Sequence, residues 1–245
     1  ESIIYNISTD AFRPVTPFNA KLNEYINHIY VLDKNTILFG GKQGNVYYYN
    51  IKNDKLNRSY NVSNSPIQEI IRVKYQLWMG TYGEGIYILE NDKIIKHIND
   101  ENGLSNNLVC SMLNDRDKYV WVSSYYGLVR IDLQNYSYNI FYQTDGLPSN
   151  EFNRLAEEVE GSNLLFGSIN GLVHFNPEEL DKDYKEYSKL HFTSLSYYDN
   201  KKQGLEEKAI QDNVEVEIYP NYNWFQIDYR LLSYIDAINN LYSVR

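Results

Sequence analysis

Leu77 to Leu89 reads LWMGTYGEGIYIL: an aromatic-led strand, a turn carrying Gly80, Gly83 and Gly85, then a second strand of alternating large residues. The same plan recurs at Ile37–Tyr49 (ILFGGKQGNVYYY), Val120–Asp132 (VWVSSYYGLVRID) and Leu164–Asn176 (LLFGSINGLVHFN). The equivalent positions Leu38, Trp78, Trp121 and Leu165 lie 40, 43 and 44 residues apart. A period of about 40 residues holding several short strands is that of a β-propeller blade. The expected class is all-β: a partial β-propeller of four-stranded blades with a repeat of about 40–44 residues, followed by the start of an Ig-like β-sandwich.

One full repeat resolves into strands at Ile26–Val31, Thr36–Phe39, Val46–Ile51 and Leu56–Val62, and the next at Ile67–Val73, Leu77–Gly80, Gly85–Leu89 and Lys93–Ile98. A third covers Leu108–Tyr142 and a fourth Glu151–Pro177. Tyr5-Asn6-Ile7 falls on Tyr49-Asn50-Ile51, so the first residues are expected to be the outer half of a blade. The links Asn102-Gly103-Leu104-Ser105-Asn106-Asn107 and Asp145-Gly146-Leu147-Pro148-Ser149-Asn150 match each other, each a polar turn around one leucine suited to plugging the seam between blades. Past Pro177 the period is lost. Glu178–Lys189 is charged and reads as a linker or short irregular crossing, placing the propeller at residues 1–187 and the sandwich at 188–245. Strands are expected there at His191–Tyr198, at Val214, Val216 and Ile218, at Phe225, Ile227 and Tyr229, and again near Leu241–Arg245.

The charge excludes one class of partner. A net charge of −9 with no basic cluster offers nothing to track a phosphate backbone, so nucleic acid is not an expected ligand. One cysteine, Cys110 in LVCSML, leaves no disulfide framework and reads as a small buried hydrophobe. No run is long and apolar enough to span a membrane, so any anchor lies outside this sequence.

Catalytic and metal chemistry find no pattern. The histidines His28, His97, His174 and His191 have no metal-ligand spacing, and GTYGEG runs from strand to strand rather than into a helix that could hold a phosphate. Glu157, Glu158, Glu160, Glu206 and Glu207 are the available acids for glycoside hydrolysis, which needs a fixed carboxyl separation; runs of acids near turns are usually solvated. No catalytic residues, metal ligands or cofactor are therefore assigned. Trp78 and Trp121 occupy equivalent strand positions and read as core. Tyr82, Tyr125 and Tyr126 follow in the loops, where an aromatic rim suits the apolar face of a sugar ring. Glu151, Asn153 and Arg154, on the link into the last blade, are the polar partners for its hydroxyls.

These residues carry a family likeness. Trp78, Gly80, Thr81 and Gly85, and Trp121, Gly127 and Leu128, together with the Gly-Leu-Ser/Pro-Ser-Asn links, resemble the two-component regulator propeller repeat. Asn150-Glu151-Phe152-Asn153 and Phe175-Asn176-Pro177 resemble its closing blade, and Trp224-Phe225-Gln226-Ile227, Tyr234 and Asn239–Tyr242 are similar to the Y_Y_Y sandwich that follows such propellers, with Val244 where a tyrosine is usual. The resemblance implies the periplasmic sensor region of a hybrid two-component histidine kinase from a Bacteroidetes-like bacterium. Such a region is expected to bind an oligosaccharide, to regulate glycan-use genes as a homodimer, and to be no enzyme itself. Two other classes stay open: a protein-binding or structural propeller, and a propeller lyase or glycosidase.

Overall fold

The structure is a computed structural model describing residues 3–14, 24–183, 190–210, 217–220 and 222–231. It forms two compact units, Glu1–Pro177 and Glu178–Arg245. The boundary expected between residues 187 and 188 falls outside the described residues.

The first unit is a fan of antiparallel sheets. It opens with a hairpin of β1 (Ile3–Asn6) and β2 (Ala11–Pro14). Blade I follows as β3 (Ile26–Asp33), β4 (Thr36–Gly41), β5 (Asn45–Asn50) and β6 (Lys55–Asn61). Blade II is β7 (Ile67–Val73), β8 (Gln76–Thr81), β9 (Ile86–Glu90) and β10 (Lys93–Ile98). Blade III is β11 (Val109–Asp115), β12 (Tyr119–Ser124), β13 (Gly127–Asp132) and β14 (Tyr138–Phe141). Blade IV has three strands, β15 (Phe152–Glu160), β16 (Asn163–Ser168) and β17 (Gly171–Phe175). Within each blade the strands pair in sequence order, and β3, β7, β11 and β15 lie side by side as the innermost strands. This is a partial β-propeller, as the period requires.

The core sits between blades. Leu38, Val46, Tyr48, Ile67, Ile70 and Met79 join blades I and II, while Trp78, Ile86, Val109, Met112, Val122 and Val129 join II and III. Trp78 stacks on Tyr136 with ring centroids 6.3 Å apart, and Trp121 meets Phe175 edge-on at 4.8 Å, each reaching the following blade. Both tryptophans are fully buried, so each is core, and burying a ring of that size is worth on the order of 4 kcal/mol. Leu104 of the first link is buried in the II–III core, as a seam plug should be.

Small residues let the seams close. A Cβ on Gly40 would stand 2.6 Å from Ile67 Cγ2, and one on Gly80 would stand 2.7 Å from Val109 Cγ1, each on the next blade's innermost strand. The turn glycine Gly85 has φ +77° and faces the Ile98 carbonyl oxygen, which an added Cβ would meet at 2.3 Å.

The outer hairpins carry a second repeated device. Asp10, Asp54, Asp92 and Tyr136 all adopt positive φ at the turn, a conformation that aspartate tolerates well. Tyr5 Oη donates to Asp10 at 2.6 Å and Tyr49 Oη donates to Asp54, so β1–β2 takes the place of a blade's two outer strands. Arg13 then pairs with Asp54 at 3.0 Å and Arg58 with Asp92, linking each outer strand to the next hairpin. Exposed pairs of this kind contribute at most about 1 kcal/mol, so they align the outer hairpins more than they stabilise them.

Two expectations change. The charged stretch after blade IV begins as helix α1 (Pro177–Asp183) rather than as an irregular linker. Proline presets φ at a first helical position, and Glu178 and Glu179 meet the positive end of the helix. In the second unit β18 (Leu190–Asp199) is flanked by β19 (Gly204–Ala209) and β20 (Tyr222–Leu231). Strand β19, GLEEKA, has no β-branched residue to announce it and is held by its ladder to β18. The strand expected from Val214 lies mainly, and that at Leu241–Arg245 wholly, outside the described residues; residues 217–219 carry no strand.

The glycine contacts generate a graded expectation. Gly80→Ala and Gly85→Ala should each cost about 1–3 kcal/mol by overpacking, with the strain of a left-handed alanine added at Gly85. Gly161→Ala, at φ +63° with no atom within 4 Å, should cost only that strain, about 1–2 kcal/mol. Urea denaturation of the three variants checks the order; a Gly80→Ala variant as stable as the parent would refute the seam contact, and an equal loss for Gly85 and Gly161 would refute the close approach to the Ile98 carbonyl.

Candidate functional site

In an antiparallel blade the turns between second and third strands lie at the same end as the links between blades. Four such turns are tied down identically. The amides of Lys42, Tyr82, Tyr125 and Ile169 donate to the carbonyls of Tyr25, Pro66, Leu108 and Glu151 at 2.8, 2.9, 3.2 and 3.1 Å. Tyr82, Tyr125, Tyr126 and the Glu151–Arg154 segment therefore share one face of the fan.

A bulge at the start of each innermost strand shapes that face. In blades I, II and III one extra residue is inserted, between Ile26 and His28, Ile67 and Glu69, and Val109 and Ser111. Blade IV enlarges it: Phe152 pairs with Ser168 and Glu157 with Phe166, so five steps along β15 face two along β16. Within the insertion Leu155 adopts φ 50°, strained for a bulky side chain. Asn153 Nδ2 donates to the Ser168 carbonyl at 3.1 Å and pins the bulge to its own blade.

The consequence is a contact spanning three blades. Tyr82 of blade II donates its hydroxyl to the Tyr125 hydroxyl of blade III at 2.9 Å, with the rings edge-to-face at 5.6 Å. Arg154 of blade IV places its guanidinium 5.0 Å from the Tyr82 ring centroid. Hydrogen bonding to Tyr82, then burial, holds the Tyr125 phenol up at about 12. Beneath them Cys110 is fully buried, its Sγ donating to the Phe152 carbonyl at 3.3 Å, and burial pushes its thiol to about 12. Tyr126 stands apart, half exposed, with its ring 5.4 Å from Tyr142. Glu151 is exposed at the start of the bulge, its backbone amide donating to Ser149 Oγ at 3.1 Å.

The remaining polar candidates disperse. His28 is held below its ordinary value by burial, His97 Nε2 lies 2.6 Å from the Glu84 carbonyl, and His174 faces Glu160 at 3.6 Å. Among the described residues no group of histidine, cysteine and acidic side chains is arranged to hold a metal. Glu158 and Glu160 are exposed, and Glu206 pairs with Lys202 at 3.3 Å on the second unit. That unit has its own open, mostly polar depression of about 650 Å³ beside Ser194, Glu207 and Asp228.

One acid departs from the solvated expectation. Glu157 is half-buried and its carboxyl is electrostatically coupled to that of Glu69 of β7, itself 5% exposed. Glu69 also accepts the Met112 amide of β11, so the pair crosses the innermost strands of blades II, III and IV. Two neighbouring carboxylates repel, so a proton held between them is favoured. Burial first, then the neighbouring charge of Glu157, raises Glu69 well above the ordinary carboxylate range, and burial raises Glu157. Sequence reading passed over Glu69; its signal was an acid on an expected innermost strand, Ile67–Val73.

A pH dependence follows. Groups whose folded-state values are raised stabilise the fold below the unfolded glutamate value and lose that contribution as pH climbs through the folded values. Stability should therefore decline from the ordinary glutamate range upward, and Glu69→Gln, which keeps an acceptor for Met112 and gains a donor for Glu157, should flatten the decline. Urea midpoints between about pH 5 and about pH 9 check this; parallel profiles for the two proteins would refute a shared proton.

Comparison with known proteins agrees with this architecture. Residues 103–126 match the two component regulator propeller family. The chain is 29% identical over 170 residues to histidine kinase P4 of Formosa agariphila, covering 67% of this chain and 12% of that protein. It resembles the extracellular domain of the hybrid two component system BT3049 from B. thetaiotaomicron, with a TM-score of 0.65 and 21% identity over 87% of this chain and 30% of that one. The extracellular domain of the one component system BT4673 from the same organism is similar at TM-score 0.59 and 17% identity, over 69% of this chain and 23% of that one. The chain thus spans about an eighth of the curated relative. Residues 103–126 thus carry a two-component regulator propeller repeat, and the chain is similar in sequence to a histidine kinase and in fold to the extracellular domains of two-component systems.

Proposed function

We propose that the chain is the ligand-sensing part of a hybrid two-component sensor histidine kinase, lying in the periplasm, and that its ligand is an oligosaccharide bound on the Tyr82–Tyr125–Arg154 face. The observation that carries the reading is the convergence of two tyrosines and an arginine from three blades onto one rim. Tyrosine rings offer flat apolar area at low entropic cost, while hydroxyl, amide and guanidinium groups around them take sugar hydroxyls. Glu151 and Asn153 border the same rim, and Tyr126 extends it toward Tyr142.

In this reading the propeller does no chemistry of its own. Residues 1–187 form the last blades of the propeller and 188–245 begin the Y_Y_Y-type sandwich that relays the event to the kinase in a homodimer, adjusting transcription of glycan-use genes. Relay requires the ligand to bind one dimer arrangement more tightly than another, because a ligand shifts an equilibrium only by its differential affinity.

Thermal denaturation of the full-length protein against defined oligosaccharides tests the proposal. A ligand at about a hundred times its Kd stabilises the folded state by about 2.7 kcal/mol, a shift in Tm of a few degrees. One glycan class should produce it dose-dependently, and Tyr82→Ala and Tyr125→Ala should each weaken it. No shift for any glycan, with binding to a polypeptide partner instead, would replace the sugar reading with a protein-docking propeller.

A further inference from the structure

Arg154 is placed by the least regular backbone in the fan. The other three bulges insert one residue, and this one inserts three, at the cost of a leucine held at φ 50°. Bulges of this kind gather beside functional sites because they re-aim a side chain. Here the re-aimed group crosses from blade IV to the Tyr82 ring of blade II. The guanidinium carbon lies 5.0 Å from the ring centroid, a cation–π distance, and a guanidinium carries its N–H groups in a fork matched to two oxygens of one anion.

Nothing among the described residues fills the fork. Arg154 makes no ion pair there and donates no hydrogen bond, unlike Arg13 and Arg58, whose roles in the outer latches are accounted for. The acid of the neighbouring turn, Glu84, is already engaged by the Tyr87 hydroxyl at 2.9 Å and the Asn64 amide at 3.2 Å. Glu151 heads the bulge as the one carboxylate of the segment, and no ion pair joins it to Arg154. In a chain of net charge −9, a cation with no ion pair among the described residues acts on anions at short range, since long-range attraction of anions is unavailable.

We propose that Arg154 is the specificity-determining residue of this rim, and that it recognises a carboxylate or sulfate substituent, making the ligand an acidic oligosaccharide. The inference rests on the oligosaccharide reading above and narrows it. Tyr82 supplies the surface for the sugar ring and steadies the guanidinium, Tyr125 fixes Tyr82 through its hydroxyl, and the fork takes the charged substituent.

Calorimetric titration of the full-length protein with paired probes tests it: an oligogalacturonate against its methyl ester for the carboxylate, and a sulfated galactan oligosaccharide against its desulfated form for the sulfate. At least one charged probe should bind about tenfold or more tightly than its neutral partner, the size expected of a charge-assisted pair, and the margin should shrink with salt. The pair that shows the margin names the substituent. Arg154→Gln should erase the margin, and Arg154→Lys should keep part of it, since lysine retains the charge without the fork. The melting temperature of each unliganded variant checks that it folds. Charged and neutral probes binding alike, or a margin that survives in Arg154→Gln, would overturn the inference and leave the oligosaccharide reading standing. Binding only of an uncharged glycan in the thermal screen would likewise overturn the inference, whereas no glycan bound in either experiment would remove the oligosaccharide reading with it.

Discussion

Everything in the first unit depends on how closely one blade's second strand approaches the next blade's innermost strand. That approach is set by missing atoms: Gly40 against Ile67 and Gly80 against Val109 leave no room for a Cβ. Because the strands come so near, large side chains on either side of the contact, Trp78 and Trp121 among them, reach into the adjacent sheet and are wholly buried. The core is thus a series of seams, each shared by two blades. Neither blade at a seam buries its face alone, as in other repeat architectures.

The same seams explain where polar groups accumulate. The innermost strands lie side by side, so a carboxyl on β7 meets an amide on β11 and a second carboxyl on β15, and a shared proton becomes the least costly arrangement. At the link end of the fan the seams open into a rim, and each turn there is anchored by one backbone hydrogen bond to its own link. Anchored turns hold tyrosines in defined places. Tyr82 and Tyr125 are therefore positioned by backbone geometry, each turn fixed to its link and the two hydroxyls bonded to each other.

Blade IV is where regularity gives way. Its enlarged bulge leaves ladder positions on β15 unpaired and strains Leu155, and in return sends Arg154 across to Tyr82. Strain persists only where surrounding structure over-determines it, and Asn153 bonded to Ser168 supplies part of that constraint. The rim thus combines two regular blades that provide aromatic surface with one irregular blade that provides charge.

Much of this was legible in the residues. The period through Leu38, Trp78, Trp121 and Leu165 dictated blades, the alternating strands dictated which side chains face a seam, and glycines such as Gly83 and Gly85 marked a tight turn. Those features are local, and local spacing is what a linear sequence records. The helical start at Pro177 was also written locally, in Pro-Glu-Glu, but is short enough to be mistaken for a linker. Strand β19 was not legible, because GLEEKA is a strand only by virtue of the neighbour it pairs with. Nor was the company of Glu69 and Glu157, 88 residues apart in sequence, or the reach of Arg154 to Tyr82, 72 apart. The sequence by itself determined the blades and the tyrosines and arginine available to a rim. Tertiary structure alone decided which of them meet, because a bulge and the stacking of blades set distances that no local spacing encodes.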